Sequence, residues 1–237
     1  MVIDLNDKKS LIEFYKKAKQ ICIDNGYGHE IQYVEERHFK DIDVDTFFGE
    51  YAFVVLSSGI SNKAAESMYE KFMKTQKMSS VKHPGKRKAL EKAGREHFQW
   101  FDLLTKCKDD GSRIQFIQTL PYMGPATSYH LARNLGIDCA KPDRHLKRIA
   151  EHFGYDVEKI KDLKRRTQFD IIGGFSPKKS LQSYGFNPSD EIQFVQWMCE
   201  DISKKTKDRI GTVDVILWRA CTIMQPWNQK EGKVVGW

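Results

Sequence analysis

Three features of this 237-residue sequence predict an all-α fold. Apolar residues recur at i, i+3 and i+4 in one segment after another, and Gly, Pro, Ser or Asp punctuates the boundaries. Few runs alternate with the period of two that a half-buried strand needs, and no internal repeat divides the chain.

The first helix is expected over residues 8–24, where Leu11, Ile12, Phe14, Tyr15, Ala18, Ile21 and Cys22 form an apolar stripe among lysines. A polar stretch through Tyr27 and Gly28 ends it. Asp45 and Thr46 offer an N-cap for the run Phe47 to Leu56, which is too long for an ordinary strand and predicts a buried helix. Ser57, Ser58 and Gly59 break that run, and Asn62 to Met73 resume a helix with Ala65, Met68, Tyr69 and Phe72 inward. A basic loop from Lys74 to Lys88, containing Pro84 and Gly85, leads to a helix whose apolar face includes Leu90, Phe98, Phe101 and Leu104. The chain is then highly charged between residues 155 and 168 and turns through Gly173, Gly174 and Pro177. Two further helices open at Ser189-Asp190-Glu191 and at Thr212.

Composition bounds the function. With 30% charged and 40% apolar residues, the chain can bury a core and fold without a partner, as one compact unit or two packed lobes. A net charge of +7 favours a polyanionic partner, because each phosphate neutralised releases counterions, although the same charge also serves solubility. Cys22, Cys107, Cys139, Cys199 and Cys221 are odd in number, scattered, and never spaced Cys-x-x-Cys, which argues against a disulfide scaffold or a zinc knuckle. No metal or other cofactor is expected. The amino-terminal residues Met1 to Asp7 lack the basic flank and apolar run of a signal peptide, and no stretch has the apolar length of a membrane span. The expectation is a soluble, cytoplasmic monomer with no membrane partner.

Two segments carry the chemistry. In Leu120-Pro121-Tyr122-Met123-Gly124-Pro125-Ala126-Thr127, Gly124 suits a tight turn and Pro125 the first position of the next helix. The backbone amides of residues 124–127 would then point outward at a helix N-terminus, where a phosphate can accept them without regard to base sequence. A plain helix–turn–helix corner with no ligand is the alternative for this segment alone. The second segment runs Lys141-Pro142-Asp143-Arg144-His145-Leu146-Lys147-Arg148 and ends in Phe153-Gly154. A helix should begin just after Pro142, with Asp143 at its N-cap.

Together these segments resemble the helix-hairpin-helix (HhH-GPD) DNA glycosylase superfamily, whose pattern is Leu-Pro-x-x-Gly-x-x-Thr-Ala followed by Val-Asp-Thr-His-Val-x-Arg-Val and Leu-Gly. The likeness extends to Val55-Leu56-Ser57-Ser58-Gly59-Ile60-Ser61 and is weakest over residues 155–237. It implies an enzyme that flips a modified base out of double-stranded DNA and hydrolyses its N-glycosidic bond. In that reading Asp143 is the catalytic carboxylate, and Tyr122, Met123, Gly124, Ala126 and Thr127 form the DNA-binding hairpin. Ser58, Gly59, Ile60, Asp214 and Trp218 are candidates for the base pocket or the wedge that replaces the flipped base. For Trp218 a place in the core, and for Asp214 a place in the first turn of its helix, are the plainer accounts. His145 reads as a hydrogen-bonded structural histidine, with a DNA-backbone contact as its alternative.

The departures from the family pattern are informative. Strand-cleaving members carry a lysine where this chain has Ala126, so the likeness implies a monofunctional enzyme; Lys141 is the one nearby amine that can substitute. Gly59 stands where many members have a wedging glutamine, and the closely spaced cysteines of an iron–sulfur cluster are missing. Phe48 to Val55 and Thr212 to Trp218 also resemble a divergent branch linked to phage thymine hypermodification, which adds weight to a modified pyrimidine substrate. Two lobes are expected, a central one over 45–154 and a second from 1–44 plus 155–237, with a cleft between them for the flipped nucleotide. The alternatives are base exchange or modification of phage DNA, and a non-catalytic DNA-binding module.

Overall fold

The computed structural model describes residues 11–75, 77–155 and 190–224, and every regular element among them is a helix. In chain order the α-helices are α1 Leu11–Asp24, α2 Gly28–Glu36, α3 Val44–Ser57, α4 Asn62–Thr75, α5 Pro84–Thr105, α6 Asp110–Thr119, α7 Pro125–Asn134, α8 Arg144–His152, α9 Asp190–Thr206 and α10 Ile210–Met224, with short 3-10 turns at Phe39–Asp41 and Met78–Ser80. The expected turns at Gly173, Gly174 and Pro177, and Ser189, lie outside the described residues. No described helix is long and apolar enough to cross a membrane.

The chain divides into two compact units whose described parts are residues 38–75 and 77–137, and residues 11–37, 138–155 and 190–224. This moves a boundary expected at residue 154 back to 137, and α8 and Asp143 therefore belong with the chain ends. The cause is the apolar face of α8. Leu146, Ile149 and Ala150 pack into one core with Phe14, Ala18 and Cys22 of α1, Val195, Met198 and Ile202 of α9, and Val213, Ile216 and Leu217 of α10. A helix is assigned to the core that buries its stripe, whatever its place in the sequence.

In the unit of residues 38–137, α3 is the central helix, packed against α4, α5 and α7. That position explains its strongly apolar run: Phe47, Tyr51, Ala52, Val54, Val55 and Leu56 are all buried. Its N-cap is Asp43, whose Oδ1 accepts from the Thr46 amide at 2.8 Å, two residues before the expected Asp45 and Thr46. The helix thus gains a turn at its start. The expected basic loop also ends earlier, since His83 caps α5 through its Nδ1 and Pro84 takes the first helical position. Gly85 to Lys88 are helical. Phe98 of α5, expected in the core, is 64% exposed, with its ring against His97 at 4.3 Å between centroids.

Gly136 closes α7 with φ +78°, and a Cβ there would stand 2.6 Å from the His38 carbonyl carbon. Only glycine fits that approach. In the other unit, α2 had no counterpart among the expected helices. Its nine residues bury only Ile31, so it carries almost no periodic signal. Tertiary contacts hold it instead: Arg219 of α10 makes a bidentate pair with Glu30 and lies 4.2 Å from the Tyr27 ring centroid. The helix expected to open at Thr212 begins at Ile210, with Thr212 buried in its first turn.

Candidate active site

The hairpin joins α6 to α7. Tyr122 takes a left-handed φ of +67° to turn the chain, and the Met123 amide donates to the Leu120 carbonyl at 3.1 Å. Free amides were expected over residues 124–127, and two of these positions are accounted for otherwise. The Gly124 N–H donates to Thr127 Oγ1 at 2.7 Å, and Pro125 has none. The N–H groups of Ala126 and Thr127 remain, at the positive end of α7, where an oxyanion is favoured. Gly124, Pro125 and Ala126 are exposed, whereas Met123 is buried and anchors the turn rather than facing outward.

Gly124 itself has φ −86° and ψ −176°, a conformation open to any residue. A Cβ there would meet nothing nearer than Thr127 Oγ1 at 3.8 Å, so the folded chain does not require glycine. Its bareness matters only to something approaching from outside.

At the other end of α3, Ser58 caps the helix, Gly59 has φ +75° and Ile60 is 38% exposed. An exposed branched apolar side chain on a sharp corner is suited to intrude between bases. What holds this corner is not legible in the local residue pattern. Lys86, placed by sequence in a solvated basic loop, is 5% exposed and donates from Nζ to the carbonyls of Leu56 at 2.8 Å and Ser58 at 2.7 Å. It satisfies the carbonyls at the end of α3 and sits at the negative pole of its dipole. Burial pushes its amine below the usual lysine value.

In the unit built from the chain ends, Asp143 is the N-cap of α8, as its spacing predicts. Its Oδ1 accepts from the amides of His145 at 2.8 Å and Leu146 at 3.1 Å. Both bonds fall on one oxygen, and Oδ2 has no hydrogen bond from the described residues. The half-buried carboxylate is therefore fixed in direction while one oxygen stays available. His145 departs from expectation, because its Nδ1 is buried without a hydrogen-bond partner among the described residues. Burial holds its imidazole below the ordinary histidine value, against the pull of Asp143 and with the help of Arg144, Arg148 and Lys141.

Asp214 and Trp218 sit one turn apart on α10, as expected, but differ in setting. Trp218 is half-buried, with the Arg219 guanidinium 4.7 Å from its ring centroid. Asp214 is fully buried, and its Oδ2 accepts from the Lys141 amide at 2.8 Å. The Cys199 thiol is pushed up by burial first and then by the negative charges of Asp214, Glu200, Asp143 and Asp138. All five cysteines are thiols, and no cluster of three or more His, Cys, Asp or Glu suited to a metal occurs among the described residues.

No protein-family model and no curated protein sequence matches the chain. Solved structures do. The 8-oxoguanine DNA glycosylase of Thermotoga maritima superposes with a TM-score of 0.60 at 16% identity, over 94% of this chain and 98% of that one. The 8-oxoguanine DNA glycosylase of Methanocaldococcus jannaschii gives 0.59 at 18% identity, over 94% and 96%. A complex of the M. jannaschii 8-oxoguanine glycosylase/lyase with a 15mer DNA containing 8-oxoguanine gives 0.58 at 16%, over 92% and 97%. Likeness along nearly the whole of both chains shows that this chain has the all-α fold of these DNA glycosylases.

Proposed function

We propose that this protein is a monofunctional DNA N-glycosylase that removes a modified base from double-stranded DNA. The observation that carries the reading is the Asp143 carboxylate, held at the mouth of α8 by two amides on one oxygen, with no hydrogen bond from the described residues on the other. As the bond from C1′ to the base nitrogen lengthens, positive charge gathers on the sugar, and a fixed carboxylate opposes it. Asp143 then takes a proton from the attacking water, whose oxygen bonds to C1′, while the departing base keeps the bond electrons and takes up a proton from solvent. The products are a free base and an abasic site. The hairpin supplies affinity without sequence preference, with the Ala126 and Thr127 amides on a phosphate. Ile60 is the wedge candidate.

Ala126 offers no amine at the hairpin, which supports hydrolysis without strand cleavage. The neighbouring structures belong to proteins that act on 8-oxoguanine, and the likeness to the hypermodification-linked branch points to modified pyrimidines. The test is a panel of duplexes carrying 8-oxoguanine or modified pyrimidines, hypermodified phage DNA among them, with the released base identified by mass spectrometry. Base release that leaves alkali-labile sites, with no adduct trapped by borohydride, supports the proposal. Trapping that disappears in Lys141→Ala would assign a lyase step to Lys141. Release from no substrate would reject the glycosylase reading.

A further inference from the structure

Asp143 ends a segment, residues 138–143, that belongs to no helix. Such a segment has no backbone ladder to fix it, and its polar groups need partners from elsewhere. Side chains and helix ends from α9 and α10 supply them. Gln196 of α9 reads the Ala140 peptide in both directions, its Oε1 accepting from the Ala140 amide at 3.0 Å and its Nε2 donating to the Ala140 carbonyl. Asp214 of α10 takes the next amide, that of Lys141. Asp138 Oδ1 in turn accepts from the Gly211 amide at the start of α10, at 3.1 Å.

The chain of bonds continues into the candidate catalytic residue. The Lys141 carbonyl accepts from the Asp143 amide at 2.8 Å, closing a three-residue turn around Pro142. From Asp214 through the Lys141 peptide to the Asp143 backbone there are thus only two hydrogen bonds and one proline ring. Asp143 is held from the other side by the α8 cap. A carboxylate opposing charge on a sugar must be placed to within about half an ångström to act, and a misplacement of about 1 Å costs on the order of 10² in rate.

We propose that Asp214 and Gln196 are positioning residues for Asp143: they hold the 138–143 strap so that Oδ2 of Asp143 is presented in one direction. This assigns Asp214 to the support of the reaction and not to contact with the flipped base. Its catalytic consequence rests on the glycosylase reading; its structural consequence does not.

The test uses the full chain with Asp214→Leu, Asp214→Asn and Gln196→Met. Asparagine keeps an oxygen that can accept the Lys141 amide, leucine removes it, and methionine removes both bonds to Ala140. Amide exchange by NMR should find the Lys141 and Asp143 amides protected in the wild type and in Asp214→Asn, and exposed in Asp214→Leu. Single-turnover base release should fall about 10²-fold in Asp214→Leu and at least tenfold in Gln196→Met. Duplex affinity should be unchanged, and Asp214→Asn should recover most of the loss. Unprotected Lys141 in the wild type would overturn the proposal even if no DNA is a substrate. Folded Asp214→Leu and Gln196→Met with full release rates would overturn it too, as would equal losses in affinity and rate. A protected Lys141 amide in a wild type that releases no base would leave the strap standing and reject the glycosylase reading alone.

Discussion

The hairpin is held mostly by local hydrogen bonds and the strap mostly by distant ones. Most hydrogen bonds that shape the hairpin span three to five residues: Met123 to Leu120, Gly124 to Thr127, Ser128 to Gly124, Thr127 Oγ1 to Tyr122; one distant bond, from the Tyr51 hydroxyl of α3 to the Pro121 carbonyl at 2.7 Å, pins its start. The strap is fixed by partners 56 and 73 positions away in sequence, Gln196, Asp214 and Gly211. A local device can be read from a local pattern, and a device built by distant helices cannot. Beyond the Tyr51 bond at its start, the hairpin's turn is held by its own residues and presents backbone to the outside, whereas the strap borrows its order from the core and presents one side chain.

That contrast makes different demands on substitution. Gly124→Val should leave thermal stability within about 0.5 kcal/mol of the wild type, because the site tolerates a Cβ and is exposed. Duplex affinity should fall by about 1.5–3 kcal/mol, the scale of a hydrogen bond to a charged group, and equally for all sequences. Calorimetric unfolding and binding to unrelated duplexes check both halves. A loss of stability, or a loss confined to one sequence, would mean that the hairpin's turn is not a locally held phosphate site.

His145 gives a smaller effect on the strap side. Burial lowers its pKa in the folded state relative to the ordinary value of 6.5, so the unfolded chain takes up the proton first as pH falls. Stability is therefore independent of this group above about pH 6.5 and declines below it, until the folded state's own lower pKa is passed. Thermal melts between pH 8 and pH 5 should find a steeper acid loss in the wild type than in His145→Gln. Identical slopes would place the imidazole in a better-solvated setting than its buried Nδ1 implies.

Most of the fold was legible because most of its signals are local. The apolar stripes of α1 and α4, the break at Ser57 to Gly59, the Pro125 start of α7 and the Asp143 cap of α8 each follow from a few adjacent residues. What escaped was decided elsewhere in the chain. α2 depends on Arg219, Lys86 is buried because the end of α3 needs a donor, and α8 groups with the chain ends because their helices bury its stripe. At the site, the role of Asp143 as a cap was readable, and so was the hairpin's boundary. Gln196 gave no signal, since an isolated glutamine on a helix is ordinary until its partner is known. Asp214 stood as a base-pocket candidate with a first-turn helix position as its plainer account, and its Oδ2 lies on the Lys141 amide.

The most direct test of the account is the chemistry of Asp143 itself, measured separately from binding. Asp143→Asn keeps an oxygen to accept the His145 and Leu146 amides, so circular dichroism should find the helices intact. What it removes is the charge that opposes the sugar cation and the base that takes water's proton. Single-turnover base release should fall by about 10²–10⁴ or more while duplex affinity stays within a fewfold of the wild type. A folded Asp143→Asn that releases base at close to the wild-type rate would contradict the account, because another group would then carry the reaction.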